Sequence, residues 1–301
     1  MTPFFSIIVP TYQRRYIVTA TILNVLEQSF ADFEIILVDD GSTDGTKDHL
    51  ELVFSGESRL KIVSQENSER GAARNTGMKA ASGEYLVFMD SDDRLERDHL
   101  SVLHHYALRE KKPDFLTTKF DFLRDGRHIP TAIGRLKEGY YDYRVLLRGN
   151  ILGMYLCVRR ENPSLVPFEN DRGFSILEDW MFNLANLRKG RIFVIDKTTY
   201  HLVDHADRSM RADQGIVARR MDRAVAWILK NIPFEESEKR IVSGYAAYFS
   251  AANFLQAGER SESFRRLKKA IHATGFRFSY LPLVIRLVVS YQPFKRKEKE
   301  V

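Results

Sequence analysis

Short apolar segments alternate with amphipathic ones through the first two-thirds of this 301-residue chain. Segments rich in β-branched and aromatic residues, typical of buried strands, occupy residues 4–9, 34–38, 60–63, 85–89, 154–159 and 191–195. Helical spacing of apolar residues lies between the first four of them, at 17–26, 46–54 and 72–81, and again at 177–187. Short strands that alternate with helices predict βαβ units and a mainly parallel sheet.

The last third of the chain is predicted to be helical. From about Gln214 the apolar residues keep helical spacing, and a break at Gly258 predicts an antiparallel helical hairpin. Residues 276–299 then hold about a dozen apolar residues around Arg286 and end in a basic cluster. This tail is too short to span a bilayer and suits binding to an anionic membrane surface. Packing of residues 281–289 on the preceding domain is the alternative.

The composition indicates the cellular compartment of the protein and excludes some classes of partner. The single cysteine, Cys157, excludes an internal disulfide and fits a reducing cytosol, and its apolar surroundings predict a packing role. Neither a basic, apolar leader nor a run of about 18 apolar residues is present, so a cytoplasmic protein is expected. The net charge is +6, but no nucleic-acid motif interleaves the basic residues, so nucleic acid is not a predicted partner.

Polar and acidic residues follow three of the predicted strands, at 10–12, 39–40 and 90–93. Ligands of parallel α/β sheets bind at the carboxyl ends of the strands. Asp90, Asp92 and Asp93 would repel one another there, and a divalent cation held by their oxygens would remove the conflict. A solvated acidic turn is the alternative for this cluster taken alone.

Four motifs resemble those of the family 2 inverting glycosyltransferases. They are IIVPTY at 7–12, VDDGSTD at 38–44, ARNTG at 73–77 and DSDD at 90–93, and the resemblance covers about residues 4–210. It implies an α/β GT-A fold, a Rossmann-like mixed sheet flanked by helices, with a C-terminal helical extension. The expected domains are a catalytic domain at 1–212, with a nucleotide-sugar half at 1–95 and an acceptor half at 96–212, and a helical region at 213–301.

The resemblance also implies a set of residues that bind the nucleotide sugar: Pro10, Thr11, Tyr12, Asp40, Arg70, Arg74, Asp90 and Ser91. Tyr12 would contact the base, Thr11 would donate a hydrogen bond, and Asp40 would accept from the uracil N3–H, which favours UDP. A turn or helix cap is the alternative for Asp40, and more so for its neighbours Asp39, Ser42 and Asp44.

The two arginines have two possible roles. Arg70 and Arg74 would approach the nucleotide or brace the acidic strand ends, and Arg74 could pair with Asp40 or Asp90 instead. Asp90 itself is expected on the ribose or in the metal shell. Lysine could replace neither arginine, because a planar fork and a point charge differ.

The resemblance assigns a divalent metal, Mn²⁺ or Mg²⁺, to Asp92. His201 is the expected second ligand, although many family members carry arginine there, and His205 is a weaker candidate. Asp93 is expected to cap a helix that begins near Leu95.

The catalytic base is expected at a second acidic element. Inverting transfer is a direct displacement, so a carboxylate must take the proton of the acceptor hydroxyl. The resemblance places this base at Asp179, next to Glu178 at a predicted helix start, where the helix dipole would keep it ionised. An acidic first helical turn without catalytic role is the alternative.

Together these features predict a metal-dependent inverting glycosyltransferase. It would move a sugar from a UDP-sugar to a hydroxyl of a glycan or lipid-linked acceptor, in cell-surface polysaccharide assembly at the inner face of the plasma membrane. An inactive nucleotide-sugar-binding protein of the same fold is the alternative, and Asp92 and Asp179 argue against it. A nucleotidyltransferase is disfavoured because the glycine-rich activation loop near the first strand is missing.

Overall fold

The computed structural model describes residues 2–204 and 213–289. The chain divides into two compact units, Met1–Ser209 and Met210–Val301. The strands of the first unit are β1 Phe5–Thr11, β2 Phe33–Asp39, β3 Leu60–Ser64, β4 Tyr85–Phe88, β5 Arg94–Leu95, β6 Phe115–Arg124, β7 Arg127–Pro130, β8 Gly139–Tyr141, β9 Cys157–Arg159 and β10 Ile192–Val203. Its helices are α1 Arg15–Leu26, α2 Thr46–Val53, α3 Glu69–Ala80, α4 His99–Arg109 and α5 Glu178–Leu187.

All ten described strands belong to one mixed sheet. The order is β3-β2-β1-β4-β9-β6-β10-β5, with β7 beside β6 and β8 beside β10. The first four strands pair in parallel, as the alternation of strands and helices predicts. Strand β9 then runs antiparallel to both β4 and β6, and so joins the parallel half to the rest of the sheet.

Several strands differ from the predicted pattern: β5, β6, β7 and β8 match no predicted segment, and β10 is longer than predicted. Strand β6 was not predicted, because the polar residues Thr117, Thr118 and Lys119 interrupt its apolar run, yet all three are buried. Their polar groups are satisfied: the Thr117 hydroxyl donates to the Tyr155 carbonyl at 2.9 Å, for example. Strand β10 was predicted to end near residue 195 and instead continues to Val203.

The core of the first unit lies between the sheet and its helices. Ile8 on β1 is fully buried, and a Cβ atom added to Gly77 on α3 would lie 2.4 Å from its Cγ2. The ARNTG motif therefore ends in glycine because α3 and β1 pack this closely. Cys157 is a buried free thiol on β9, which agrees with its predicted packing role.

The second unit is helical, as predicted. It contains α6 Gln214–Asn231, α7 Glu236–Gln256, α8 Arg260–Thr274 and α9 Leu281–Val289. Helices α7 and α8 form the predicted antiparallel hairpin, since Ser263 at the start of α8 donates to the Ala251 carbonyl late in α7. Gly258 between them has a φ of +81°, which favours glycine.

Helix α9 packs through one side only. Leu283 joins a buried cluster of the second unit with Tyr280 and Leu267, whereas Leu281 and Ile285 are 43% and 50% exposed. The stretch from 281 therefore packs within the helical unit and keeps an apolar face in solvent. None of the described helices is long and apolar enough to cross a membrane. His205 and the basic cluster at 295–299 lie outside the described residues.

Candidate active site

The carboxyl ends of β1 and β2 form the first wall of the site. Thr11 lies opposite Asp39 in the parallel register, and the Asp40 amide donates to the Thr11 carbonyl at 2.9 Å. The Thr11 hydroxyl is buried and has no hydrogen-bond partner among the described residues. Tyr12 is 46% exposed just beyond it, and Pro10 is buried within β1. A bound nucleotide could supply the missing hydrogen bond to the Thr11 hydroxyl and contact the exposed Tyr12 ring.

The Asp40 carboxylate is buried and held by three donors of its own chain. It accepts from the Gln65 side chain at 2.7 Å, the Ser68 amide at 2.8 Å and the Asn67 side chain at 3.3 Å. A carboxylate has about four acceptor positions, so one more donor can be accommodated. Asp40 thus organises its loop and can still accept from a ligand.

The neighbours of Asp40 stabilise the local turn and the start of α2, as the alternative interpretation predicts. Asp39 accepts from the Ser42 amide at 3.2 Å and closes the turn. Asp44 accepts from the Thr46 amide at 3.0 Å, at the first residue of α2. These contacts position the turn that carries Asp40.

The acidic residues after β4 come together in space. Carboxylate oxygens of Asp90, Asp92 and Asp93 lie within 4.8 Å of one another. Asp93 accepts from the Tyr200 hydroxyl at 3.1 Å and from the Val203 amide at 3.2 Å, both on β10. The prediction that Asp93 caps a helix near Leu95 is wrong, because β5 occupies that position and α4 begins only at His99.

Arg14 is a site residue that the sequence reasoning missed. Its Nη1 lies 2.8 Å from an Asp92 oxygen and 3.3 Å from the hydroxyl of Ser91, which is buried. The guanidinium therefore places positive charge directly on the acidic cluster. The available signal was the basic pair Arg14-Arg15 that follows the first motif.

Arg74 connects the acidic cluster to α5. Its side chain is 2% exposed; Nη2 lies 2.7 Å from Asp90 Oδ1 and Nη1 lies 2.9 Å from Glu178 Oε1. Burial alone would lower the pKa of the Arg74 guanidinium, but the two carboxylates raise it above its ordinary value. These contacts fit the predicted role of bracing the acidic strand end rather than that of approaching the nucleotide. Arg74 pairs with Asp90 and Glu178. Arg70 lies nearby, with Nε 3.6 Å from Glu178 Oε1.

Glu178 and Asp179 begin α5, as predicted. The Asp179 carboxylate accepts from the Trp180 amide at 2.7 Å. Burial and the adjacent Glu178 charge raise its pKa, while Arg74 and hydrogen bonds oppose the shift. Burial and the Glu178 charge thus act against the ionisation that the helix terminus is expected to favour. A carboxylate with a raised pKa is a better proton acceptor near neutral pH.

Three non-glycine residues around the site have positive φ angles. Ile176, two residues before Glu178, has φ +81°; Glu69, before Arg70, has +72°; and Gln13, after Tyr12, has +53°. A β-branched residue such as Ile176 is rarely found in this region, because its side chain crowds the backbone. The loop before α5 is thus held in a costly conformation beside the candidate base.

His201 is not brought together with Asp92. Its Nδ1 lies 2.6 Å from Asp121 Oδ1 and its Nε2 lies 2.9 Å from Glu96 Oε1. The group of possible metal ligands to which it belongs contains Asp121 and His128, whereas Asp92 is grouped with its neighbouring aspartates. The structure therefore gives no support to a metal shared by Asp92 and His201.

Residues 6–157 match the profile of the family described as Glycosyl transferase family 2, just over half of the chain. The glycosyltransferase EpsH of Bacillus subtilis is 38% identical over 275 residues, which are 88% of this chain and 73% of EpsH. The chain belongs to glycosyltransferase family 2. Another relative is 43% identical over 182 residues, 58% of this chain and 70% of its own length. It is the UDP-Glc:alpha-D-GlcNAc-diphosphoundecaprenol beta-1,3-glucosyltransferase WfgD of Escherichia coli.

Solved structures identify the fold of this glycosyltransferase as GT-A, which confirms the predicted fold class. TarS of S. aureus in complex with UDP-GlcNAc superimposes with a TM-score of 0.70 at 23% identity, covering 94% of this chain and 87% of that one. The mannosyltransferase PcManGT of Pyrobaculum calidifontis, in complex with GDP-Man and Mn²⁺, gives a TM-score of 0.61 at 21% identity, covering 96% and 81%. The family predicted from the four motifs is likewise confirmed, and the chain is a glycosyltransferase.

Proposed function

We propose that this family 2 glycosyltransferase is a metal-dependent inverting enzyme. It would transfer a sugar from a UDP-sugar to a hydroxyl group of a glycan or lipid-linked acceptor. The observation that carries the proposal is the buried bridge from Asp90 through Arg74 to Glu178. This bridge holds the acidic cluster and the helix of the candidate base within one hydrogen-bonded unit.

The donor nucleotide would bind at the ends of β1 and β2. The exposed ring of Tyr12 offers an apolar face for the base, and the Thr11 hydroxyl has no hydrogen-bond partner in the part of the chain that the structure describes. Asp40 has one acceptor position to offer to the uracil N3–H, a donor that cytosine lacks. These features support UDP, and Arg70, which is partly exposed, is the arginine better placed to reach a ligand.

The acidic cluster fits a divalent cation such as Mn²⁺ or Mg²⁺. Asp92 and Asp90 present carboxylate oxygens, the ligands that hard cations prefer. Asp92 already accommodates a positive group, Arg14, at 2.8 Å. When bound, the ion would stabilise the negative charge that develops on the departing diphosphate. Asp93 is less available, because both of its oxygens are hydrogen-bonded to β10.

Asp179 would take the proton of the acceptor hydroxyl as the new bond forms. Its raised pKa favours proton uptake, whereas Glu178 forms an ion pair with the Arg74 guanidinium. A single displacement with one base inverts the configuration at the sugar carbon. The strained backbone conformation at Ile176 would hold Asp179 in place.

The acceptor and the setting are inferred from the relatives. WfgD acts on a GlcNAc-diphosphoundecaprenol acceptor, which supports a lipid-linked acceptor and cell-surface polysaccharide assembly for this chain. The exposed apolar face of α9 supports attachment to the inner face of the plasma membrane from the cytoplasm.

The substitution Asp179→Asn tests the mechanism, because it preserves size and removes the proton acceptor. We expect turnover to fall by about 10²–10⁴-fold while UDP and Mn²⁺ affinities stay near those of the wild type. The measurements are saturating kinetics and calorimetric titration, with Asp171→Asn on the exposed loop as the control. Loss of donor affinity with turnover preserved would make Asp179 a binding residue. Donor binding by the wild type without transfer to any acceptor would favour an inactive binding protein.

A further inference from the structure

Two histidines and an aspartate meet where β6, β7 and β10 run side by side. His201 lies opposite Asp121 in the β10–β6 register, and the His201 Nδ1 to Asp121 Oδ1 distance is 2.6 Å. His128 on β7 reaches the other oxygen of Asp121, with Nδ1 at 2.9 Å from Oδ2. The two imidazole rings lie 4.9 Å apart. Three potential metal ligands thus converge on one point.

This cluster lies on the opposite face of the sheet from the candidate active site. Consecutive side chains of a strand point to opposite faces. Tyr200 points toward Asp93 in the active site, so its neighbour His201 points away from it. His128 and His201 instead line a separate pocket of about 300 Å³ together with Glu96.

The His201 ring has a carboxylate at each of its two nitrogens. A neutral imidazole has one N–H and one lone pair. His201 is 7% exposed, yet both of its nitrogens face carboxylates: Nδ1 faces Asp121, and Nε2 lies 2.9 Å from Glu96. One lone pair would therefore be set against a carboxylate oxygen. Either an extra proton or a metal ion between the groups resolves this conflict.

We propose that Asp121, His128 and His201 bind a divalent metal ion such as zinc. The Nδ1 atoms of the two histidines and the Asp121 carboxylate would be the ligands. The remaining N–H of His201 would donate to Glu96, and carboxylates commonly orient metal-binding histidines in this way. The pocket leaves the fourth position to water or an anion.

The geometry needs only a small adjustment. Zinc bonds of about 2.0–2.1 Å in a tetrahedron place ligand atoms about 3.3 Å apart. The observed contacts of 2.6 and 2.9 Å would open by roughly 0.4–0.7 Å. The smaller opening falls on His128, whose side chain is 56% exposed, and the larger one falls on the contact between His201 and Asp121.

The chemistry of the ligands separates this site from the aspartate cluster. Imidazole nitrogens suit zinc, cobalt and nickel, whereas an all-carboxylate cluster suits magnesium or manganese. The two sites should therefore load with different ions, and the new site does not depend on the proposed reaction.

The test uses the full-length chain without a histidine tag, stripped of metal with a chelator. Cobalt(II) is titrated in, and visible absorption reports a tetrahedral site; zinc is then added as competitor. We expect about one equivalent of cobalt in this site, displaced by zinc. His128→Gln should weaken cobalt binding by about 100-fold or more, and Glu96→Gln by about 10–100-fold. His105→Gln, on the exposed face of α4, and Asp92→Asn should leave it unchanged.

Three results would overturn the proposal: no tetrahedral cobalt spectrum in the wild type, His128→Gln binding cobalt as tightly as the wild type, or Asp92→Asn abolishing the signal. Circular dichroism of each variant excludes misfolding. The Glu96→Gln variant tests the site a second time, through a residue that would orient His201 without contacting the ion.

Discussion

At the scale of single residues, the adjacent carboxylates of Glu178 and Asp179 lie in different environments. Glu178 has one oxygen on Arg74, and its other oxygen is buried without a partner among the described residues. Asp179 lies beside this charge in a desolvated position, so its pKa rises. Neighbouring acids whose environments differ in this way are typical of catalytic sites. In the proposed mechanism, Glu178 anchors the helix through Arg74 and Asp179 takes the proton.

The raised pKa of Asp179 predicts a pH dependence of turnover. Burial and Glu178 raise the pKa of Asp179 to about 7, and only the ionised form can accept a proton. Turnover at saturating donor should therefore increase with pH through an acid limb near pH 7. Asp179→Asn should remove that limb from the residual activity. An identical limb in the variant would assign it to another group.

The same shift has the opposite sign for stability. A carboxyl group whose folded pKa exceeds its unfolded pKa binds more protons when folded, so it stabilises the fold at low pH. That contribution is lost as the pH rises from about 4 to about 7. Denaturant unfolding at several pH values measures it, and Asp179→Asn is the control that should flatten the dependence in this window.

At the scale of elements, one arginine joins α3, the end of β4 and the start of α5. A buried charge that loses one partner is strongly destabilising, by about 3–5 kcal/mol. Arg74 satisfies two carboxylates through separate nitrogens of one planar group, which lysine cannot do.

Arg74→Lys should therefore destabilise the protein by about 3 kcal/mol, which lowers the melting temperature by roughly 6–12 °C for a domain of this size. The matched control is Arg70→Lys, because Arg70 is partly exposed and lies 3.6 Å from the same glutamate. Its stability should change by less than about 0.5 kcal/mol. Calorimetry of both variants is the measurement, and equal shifts would mean that the bridge contributes little.

The sequence predicts the elements better than the contacts between them. Apolar periodicity locates α3, α5 and β1, and the order of the motifs identifies the fold. The bridge between Arg74 and Glu178 spans 104 positions, so no local pattern reveals it. His201 follows a predicted strand, but the strand continues and turns its side chain to Asp121. Strand register decides the face, and register becomes visible only in the folded sheet.

At the scale of the whole molecule, the last described helix of the second unit, α9, has apolar side chains exposed to solvent. Leu281 and Ile285 are about half exposed, whereas Leu283 is buried in the unit's core. Deleting the tail would therefore remove core residues together with the exposed face. Point substitutions on the exposed side separate the two effects.

Replacing Leu281 and Ile285 with serine should weaken binding to vesicles that contain phosphatidylglycerol by about tenfold, because less apolar area enters the interface. Turnover on a soluble acceptor should stay unchanged. Leu52→Ser with Leu108→Ser is the control, since these leucines are exposed on the first unit. Co-sedimentation with vesicles is the measurement, and undiminished binding by the tail variant would exclude α9 as the contact.

The Arg74 bridge also limits how such enzymes can diversify. Of the two carboxylate partners of Arg74, Asp90 lies within residues 1–95 and Glu178 lies beyond them in the same unit. The two predicted halves, residues 1–95 and 96–212, are therefore joined by a buried ion pair. A recombinant that takes each of these segments from a different relative should keep both the arginine and the glutamate, because a buried guanidinium that loses one of its two partners destabilises the fold.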